Sequence, residues 1–265
     1  MSVCLLHISD SHLFTDQARR LKGICPWDSF KSVLADAYER YPEINALLLG
    51  GDMAQDETAE SYQMLVEALP EWRAPVMLSP GNHANLDDIA NALVPALQAK
   101  CGYCDVLQIG NWRILAMNTH KDGQVSGYVT PEELARLDGL LAAEPEMHTL
   151  IVLHHPPLLI GSKWMDAIGF ENASELWDVV LRRAQVRVML HGHIHQAFDR
   201  EYAGIRVLGS PSTSVQFAPG KDSFELDAVS PGYRCLQLHE DGSIHTEVHR
   251  INGFIPPDLH DDIPY

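Results

Sequence analysis

Asp10-Ser11-His12, Gly51-Asp52, Gly81-Asn82-His83, His154-His155 and Gly192-His193-Ile194-His195 are five short clusters of carboxylate, amide and imidazole side chains. Such groups donate oxygen and nitrogen to metal ions, and together they are numerous enough to hold two. An Asp-x-His or a His-x-His alone is weak evidence. In this chain each cluster directly follows an apolar, strand-like run: Val3 to Ile8, Ala46 to Leu49, Val76 to Leu78, Leu150 to Leu153 and Val186 to Leu190. Because a strand turns residues two apart to the same side, Asp10 with His12, and His193 with His195, are expected to converge at strand ends. The donor set lacks thiolate, which favours iron, manganese, cobalt or zinc over calcium or magnesium.

The elements that must position these groups follow from hydrophobic periodicity. Strands are predicted near 3–9, 45–49, 75–79, 112–118, 149–153 and 186–190, and helices at about 28–41, 58–69, 86–99, 131–143 and 174–184. Thr130-Pro131-Glu132-Glu133 opens one helix with an N-cap hydroxyl, proline in the first turn and acids near the positive end of the dipole. Alternating strands and helices imply crossover connections and a largely parallel sheet, so the fold class is α/β. After His195 come short runs near 197–201, 205–209, 213–217, 233–238 and 243–249, with the turn Glu240-Asp241-Gly242-Ser243. These predict a second sheet of mostly antiparallel strands. The metal clusters would then lie along one edge, at the carboxyl ends of strands, where open α/β sheets bind ligands.

The five clusters resemble those of the calcineurin-like metallophosphoesterases. Gln55-Asp56, the stretch Pro211-Ser212-Thr213-Ser214-Val215-Gln216-Phe217 and Pro231-Gly232-Tyr233-Arg234 resemble, within that family, the bacterial class III cyclic nucleotide phosphodiesterases acting on 3′,5′-cyclic AMP. The resemblance runs from about Val3 to Arg250 and implies a four-layer αββα sandwich of two mixed sheets. The chain divides into a single domain, 1–252, and a loosely held tail, 253–265, for which a lid or a partner contact is the other reading. The resemblance implies that Asp10, His12 and His195 take one metal, that Asn82, His154 and His193 take the other, and that Asp52 bridges both. The ions it implies are Fe(II) or Mn(II). His155 would then lie in the outer shell, with Pro156-Pro157 stiffening the turn that aims His154. Gly51, Gly81 and Gly192 are expected to keep the backbone clear of the metals.

The implied reaction is hydrolysis of 3′,5′-cyclic AMP to 5′-AMP by a hydroxide activated at the two ions, which also neutralise the phosphoryl oxygens. His83 and Asp52 would be the catalytic residues, with His83 donating a proton to the leaving 3′ oxygen. His12, Asp52, Asn82, His83 and His195 would contact the substrate. Ser212, Thr213 and Gln216 are candidate hydrogen-bond partners of a nucleotide, and Phe217 a candidate for packing on its base. One residue departs from the family pattern: Ala84 stands where relatives carry an acid. Loss of such a partner costs roughly 10- to 100-fold in metal affinity or activity unless another group, such as Asn85, Asp87 or Asp88, replaces it. The other functional readings are a broader phosphodiesterase acting, for example, on glycerophosphodiesters, and a binding scaffold that has lost catalysis.

Composition narrows the partners. A formal charge of -17 argues against nonspecific binding of nucleic acid, which depends on lysine and arginine neutralising phosphates. It does not exclude a small phosphate ester, because two divalent ions would leave the centre locally positive. Five cysteines, an odd number with one C-x-x-C spacing at Cys101 and Cys104, read as reduced thiols. The chain has no apolar run of the roughly 20 residues that span a bilayer and no secretory leader, so a cytoplasmic protein with no membrane partner is expected. No oligomeric state follows from the sequence. His7, His120, His148, His239, His245, His249 and His260 carry no functional expectation.

Overall fold

The computed structural model describes residues 2–256, 259–261 and 263–264. The first half of the chain forms β1 (Val3–Ile8), α1 (Pro26–Arg40), β2 (Ala46–Leu49), α2 (Ala59–Ala68), β3 (Val76–Leu78), α3 (Leu86–Asp88), α4 (Val94–Lys100), β4 (Val106–Ile109) and β5 (Trp112–Ala116). The second half forms α5 (Pro131–Ala143), β6 (His148–Val152), α6 (Lys163–Asp166), α7 (Ala173–Val180), β7 (Val186–His191), β8 (Phe198–Tyr202), β9 (Ile205–Gly209), β10 (Gly232–Leu238) and β11 (Ile244–Arg250).

Apolar residues on both faces of the strands dictate the layering. Leu5, Leu48, Leu236 and Leu238 of one sheet meet Trp112, Ile114, Leu150, Val188 and Leu208 of the other in a shared core. The alternate positions Leu6, Ile8, Leu47 and Leu49 turn outward onto Phe30 and Val33 of α1 and Leu65 of α2. On the far side, Leu115, Ile151 and Met189 pack under Leu137 and Leu141 of α5 and Leu176 of α7. A strand covered on both faces reads as a continuous apolar run, which is why β2 is Ala-Leu-Leu-Leu. The result is the expected αββα sandwich of two mixed sheets. Leu48 is fully buried, and truncating such a residue to alanine costs about 2–5 kcal/mol.

The five-stranded sheet has the order β11-β10-β1-β2-β3, and the six-stranded sheet the order β4-β5-β6-β7-β9-β8. Strands β1, β2 and β3 are parallel, as are β5, β6, β7 and β9; β10, β11, β4 and β8 run antiparallel to their neighbours. The strands after His195 therefore do not build a second sheet of their own. β8 and β9 extend the sheet containing β7, whereas β10 and β11 return to β1. Hydrophobic alternation within a strand carries no information on its partner, and that choice is made by the shared core.

Three further expectations need correction. Residues 213–217 are not a strand but a loop with isolated bridges at Ser212 and Phe217. The short edge strand β4, only partly buried, was not anticipated. The helix expected over 86–99 is interrupted by a π segment at Ile89–Leu93, just before Pro95, which has no N–H to donate and whose ring crowds the preceding turn. In the last segment, Leu259 packs against the apolar core and Asp261 pairs with Lys22. Among the described residues no helix is long and apolar enough to cross a membrane, and all five cysteines are free.

Candidate metal centre

The five clusters meet at one edge of the sandwich, each beyond the carboxyl end of β1, β2, β3, β6 or β7. The convergence does not come from strand alternation. β1 ends at Ile8 and β7 at His191, and Asp10, His12, Asp52, His193 and His195 all adopt left-handed backbone conformations, with φ of 55°, 47°, 50°, 67° and 49°. Non-glycine residues avoid this region, and clusters of them are a mark of functional sites, where surrounding contacts hold the strain. Here the contacts are backbone hydrogen bonds between loops: Asp10 N–H to Gly51 O (2.9 Å), His12 N–H to Asp52 O (2.9 Å) and Gly192 N–H to His154 O (3.1 Å). Glycine is needed where the loops approach most closely. A Cβ at Gly81 would collide with the Asp52 carboxylate, and one at Gly192 would meet Asp10 Oδ2 at 2.8 Å.

Asp10, His12 and His195 bring ligand atoms together: Asp10 Oδ1 lies 3.4 Å from His195 Nε2, and His12 Nε2 lies 3.2 Å from His195 Nε2. In a second group, Asn82 Oδ1 lies 3.2 Å from His154 Nε2 and 3.0 Å from His193 Nδ1. Asp52 stands between them, its Oδ2 being 3.3 Å from His154 Nε2 and 4.0 Å from His12 Nε2. All seven sequence-predicted ligands are thus in one place.

Whether these residues suit metal ions can be decided from their hydrogen bonds. Each of the four histidines points its other ring nitrogen at an oxygen that can only accept. His12 Nδ1 meets Gln55 Oε1 (2.7 Å), His154 Nδ1 meets Gly50 O (2.6 Å), His193 Nε2 meets Ile168 O (3.2 Å) and His195 Nδ1 meets Val215 O (2.9 Å). A neutral imidazole has one N–H, so these acceptors take it and leave four lone pairs facing inward. There they face the lone pairs of Asp10, Asp52 and Asn82, an arrangement that requires cations in the middle. Separations of about 3.0–3.4 Å are those expected between neighbouring donors that share an ion at roughly 2.0–2.2 Å. The donor set fits two divalent ions.

The electrostatics agree. Asp10 and Asp52 are buried, and among the described residues their only ion-pair partners are histidines. Burial opposes ionisation of Asp52, yet the His154 imidazole beside it holds its carboxyl well below the usual range. Burial likewise disfavours a His154 imidazolium, but the charge of Asp52 overrides it and raises the pKa to about 9. Without metal, a proton therefore takes the place of a cation. Burial lowers His12 and His193 to about 3, which keeps both imidazoles neutral, the form that binds metal.

His155 is occupied at both nitrogens, by Thr119 Oγ1 (2.8 Å) and Val125 O (3.1 Å), and so supports the site from outside. His83 donates its backbone N–H to Asp52 Oδ1 (2.7 Å), and its Nδ1 faces Glu57 Oε1 at 3.3 Å. Glu57 escaped the sequence reading. It supplies the acidic neighbour that Ala84 cannot, whereas Asn85 caps α3 by accepting from Asp88 N–H, so neither Asn85 nor Asp88 takes that role. Ala84 itself is buried in the core against α2. The available signal was the polar run Gln55-Asp56-Glu57 straight after Asp52, with Glu57 at φ 53°.

A cavity of about 360 Å³ opens over the centre. Its floor is His12, Asp52, Asn82, His83, His193 and His195, and its walls are largely apolar, including Trp164, Ile168, Phe217 and Phe224. Phe217 stacks on the His195 ring (4.0 Å between centroids, 7° between planes) and meets Trp164 and Phe224 edge-on. Ser212, Thr213 and Gln216 do not face this cavity. They are fully buried and brace the loops, with Ser212 Oγ–H donating to Asp10 O (2.7 Å), Thr213 Oγ1–H to Ser11 Oγ (2.9 Å) and Gln216 Nε2–H to Ser212 O (2.7 Å). Trp164 and Phe224 carried no sequence signal, because nothing near them marks a site.

An αββα sandwich with a cluster of metal donors at the carboxyl ends of its strands has the architecture of a metal-dependent hydrolase. The sequence profile of the calcineurin-like phosphoesterases matches residues 5–197, and the chain belongs to that family. It is 39% identical over 251 residues to the 3′,5′-cyclic adenosine monophosphate phosphodiesterase CpdA of Escherichia coli (strain K12), covering 94% of this chain and 90% of that one. Identity to the enzyme of the same name from Pseudomonas aeruginosa is 37% over 254 residues, covering 96% and 92%. A dimetal phosphatase from Danio rerio shares the fold, with a TM-score of 0.61 at 12% identity, over 89% of this chain and 95% of that one. The chain is accordingly a hydrolase, and its family fold implies a dinuclear metal centre.

Proposed function

We propose that this protein hydrolyses 3′,5′-cyclic AMP to 5′-AMP. In this reading Asp10, His12 and His195 hold one ion, Asn82, His154 and His193 the other, and Asp52 both, with Fe(II) or Mn(II) the ions that the family resemblance favours. Two bound ions would supply an activated water at neutral pH and neutralise the phosphoryl oxygens. The chain's own groups do the rest. His12, Asp52, Asn82, His83 and His195 line the cavity floor where the phosphate would sit. Glu57, behind His83 Nδ1, orients that ring so that Nε2 can give a proton to the leaving 3′ oxygen. Phe217, Trp164 and Phe224 offer an apolar aromatic wall to the base. The single domain 1–252 and a cytoplasmic location are parts of the same proposal.

The observation that carries the chemistry is the set of four histidines whose outer ring nitrogens meet acceptor oxygens and whose inner nitrogens converge with three oxygen donors. The cyclic nucleotide is supported by the relatives, whose identity extends over nearly the whole chain. Initial rates on 3′,5′-cyclic AMP, 2′,3′-cyclic AMP and glycerophosphocholine, with protein reconstituted in Mn(II), test it. Preferred formation of 5′-AMP is expected; a higher kcat/KM on either of the other esters would overturn the substrate assignment.

A further inference from the structure

Lys22 is one of the few non-glycine residues with a left-handed backbone outside the metal loops, at φ 48° and followed by Gly23 at φ 85°. The pair forms a two-residue turn in which Leu21 and Ile24 exchange both backbone hydrogen bonds, at 2.8 and 3.0 Å. Such a turn prefers asparagine or glycine at its first central position, so a lysine held there invites a functional explanation. Its side chain is only 9% exposed. Nζ donates to Asp261 Oδ1 (2.7 Å) and to Ile263 O (2.5 Å), and it stands 5.6 Å from the centre of the Phe224 ring.

Those contacts connect two walls of the cavity. Pro264, next to Ile263, lines the same cavity as His12, Asp52 and Asn82. Phe224 belongs to the aromatic group that includes Trp164 and Phe217 and reaches His195 by stacking. At about 360 Å³ the cavity is near the lower end of ligand pockets, which run from about 300 to 1,000 Å³.

We propose that Lys22 is a specificity-determining residue: by holding Asp261, Ile263 and Pro264 beside the aromatic wall it narrows the substrate cavity and restricts the site to diesters of mononucleotide size. Lys22 touches no reacting atom and acts through the segment it positions. A dinucleotide carries a second nucleoside that would need the space these residues occupy. The inference rests on the phosphodiesterase reading and adds the reason for a size limit.

The test uses the metal-reconstituted full chain with 3′,5′-cyclic AMP and the dinucleoside monophosphate TpT. Replacing the ammonium in Lys22→Met is expected to raise the ratio of kcat/KM for TpT over cyclic AMP about tenfold, through a lower KM for TpT with kcat on cyclic AMP held within about twofold. Lys22→Arg should restore the wild-type ratio, and Asp261→Asn, on the more exposed partner, should shift it in the same direction and decides the matter if Lys22→Met does not fold. A merely structural role would instead lower all rates along with thermal stability. Ratios within about twofold of wild type for both Lys22→Met and Asp261→Asn overturn the proposal. The wild-type rate on cyclic AMP judges the functional reading separately; if cyclic AMP is not cleaved, the same ratio is taken between TpT and bis(4-nitrophenyl) phosphate.

Discussion

Gly81→Ala adds one methyl group and changes no ligand, yet it should disable the centre. The new Cβ would fall 2.8 Å from Asp52 Cγ and 2.6 Å from Asp52 N, and closer still to Oδ1. Carbon contacts are normally about 3.5–4.0 Å, so the carboxylate must retreat by roughly 1 Å. It has nowhere to go without breaking the bond from His83 N–H and the approach to His154. Overpacking of this kind costs about 1–3 kcal/mol, and a 1 Å misplacement at a reacting centre about 100-fold in rate. With a change of roughly 2–4 °C per kcal/mol in a domain of this size, the melting temperature should fall by about 2–12 °C. Gly139→Ala is the matched control. That exposed glycine lies inside α5 with nothing within 4 Å of its added Cβ, so alanine should stabilise the helix by about 0.5–1 kcal/mol. Metal content by mass spectrometry, calorimetric melting and kcat/KM on cyclic AMP are the measurements. If Gly81→Ala keeps its metals and its kcat/KM within twofold of wild type, the tight seat of Asp52 is wrong.

Glu57→Gln should lower kcat by roughly 10- to 100-fold while both metals stay bound, since it loosens His83 and no ligand; loss of metal in parallel would show that Glu57 serves the metals instead. Ala84→Asp puts a carboxylate into the core against α2 and should cost about 2–4 kcal/mol in urea unfolding without raising turnover. A gain in turnover would restore the view that an acid is missing at this position. His7 is fully buried, and burial lowers its pKa from 6.5 to about 3. Below pH 6.5 the unfolded chain takes up this proton before the folded one, so stability falls with pH by about 1.4 kcal/mol per unit, or roughly 2–3 kcal/mol by pH 4.5. His7→Gln should remove that share of the acid sensitivity, and an unchanged slope between pH 6.5 and 4.5 would refute it.

The metal loops were legible because their chemistry is local: carboxylate and imidazole pairs follow strands, and strands announce themselves as apolar runs. The sandwich was legible for the same reason, through β2 and β6 and the alternation between helices and strands. What could not be read was anything decided by long-range partners. Phe198 to Gly209 and Gly232 to Arg250 have similar alternation, yet one hairpin joins β7 and the other β1, and only the shared core tells them apart. The backbone that aims Asp10 and His12 is left-handed, not extended; aspartate and histidine tolerate that region better than most residues, but their type alone does not fix it. Ser212, Thr213 and Gln216 looked like nucleotide contacts because they are polar, but they brace loops whose own groups need partners. Glu57 and Lys22 took on importance only when the fold set one behind His83 and the other beside Asp261.

The most direct test is a titration of the metal-free chain with Mn(II), following bound metal and the formation of 5′-AMP from 3′,5′-cyclic AMP in the same samples. Saturation at two ions per chain, with turnover rising as the second binds and abolished in Asp52→Ala, is the predicted result. Full turnover with one ion or none, or two bound ions without any 5′-AMP, would contradict the account.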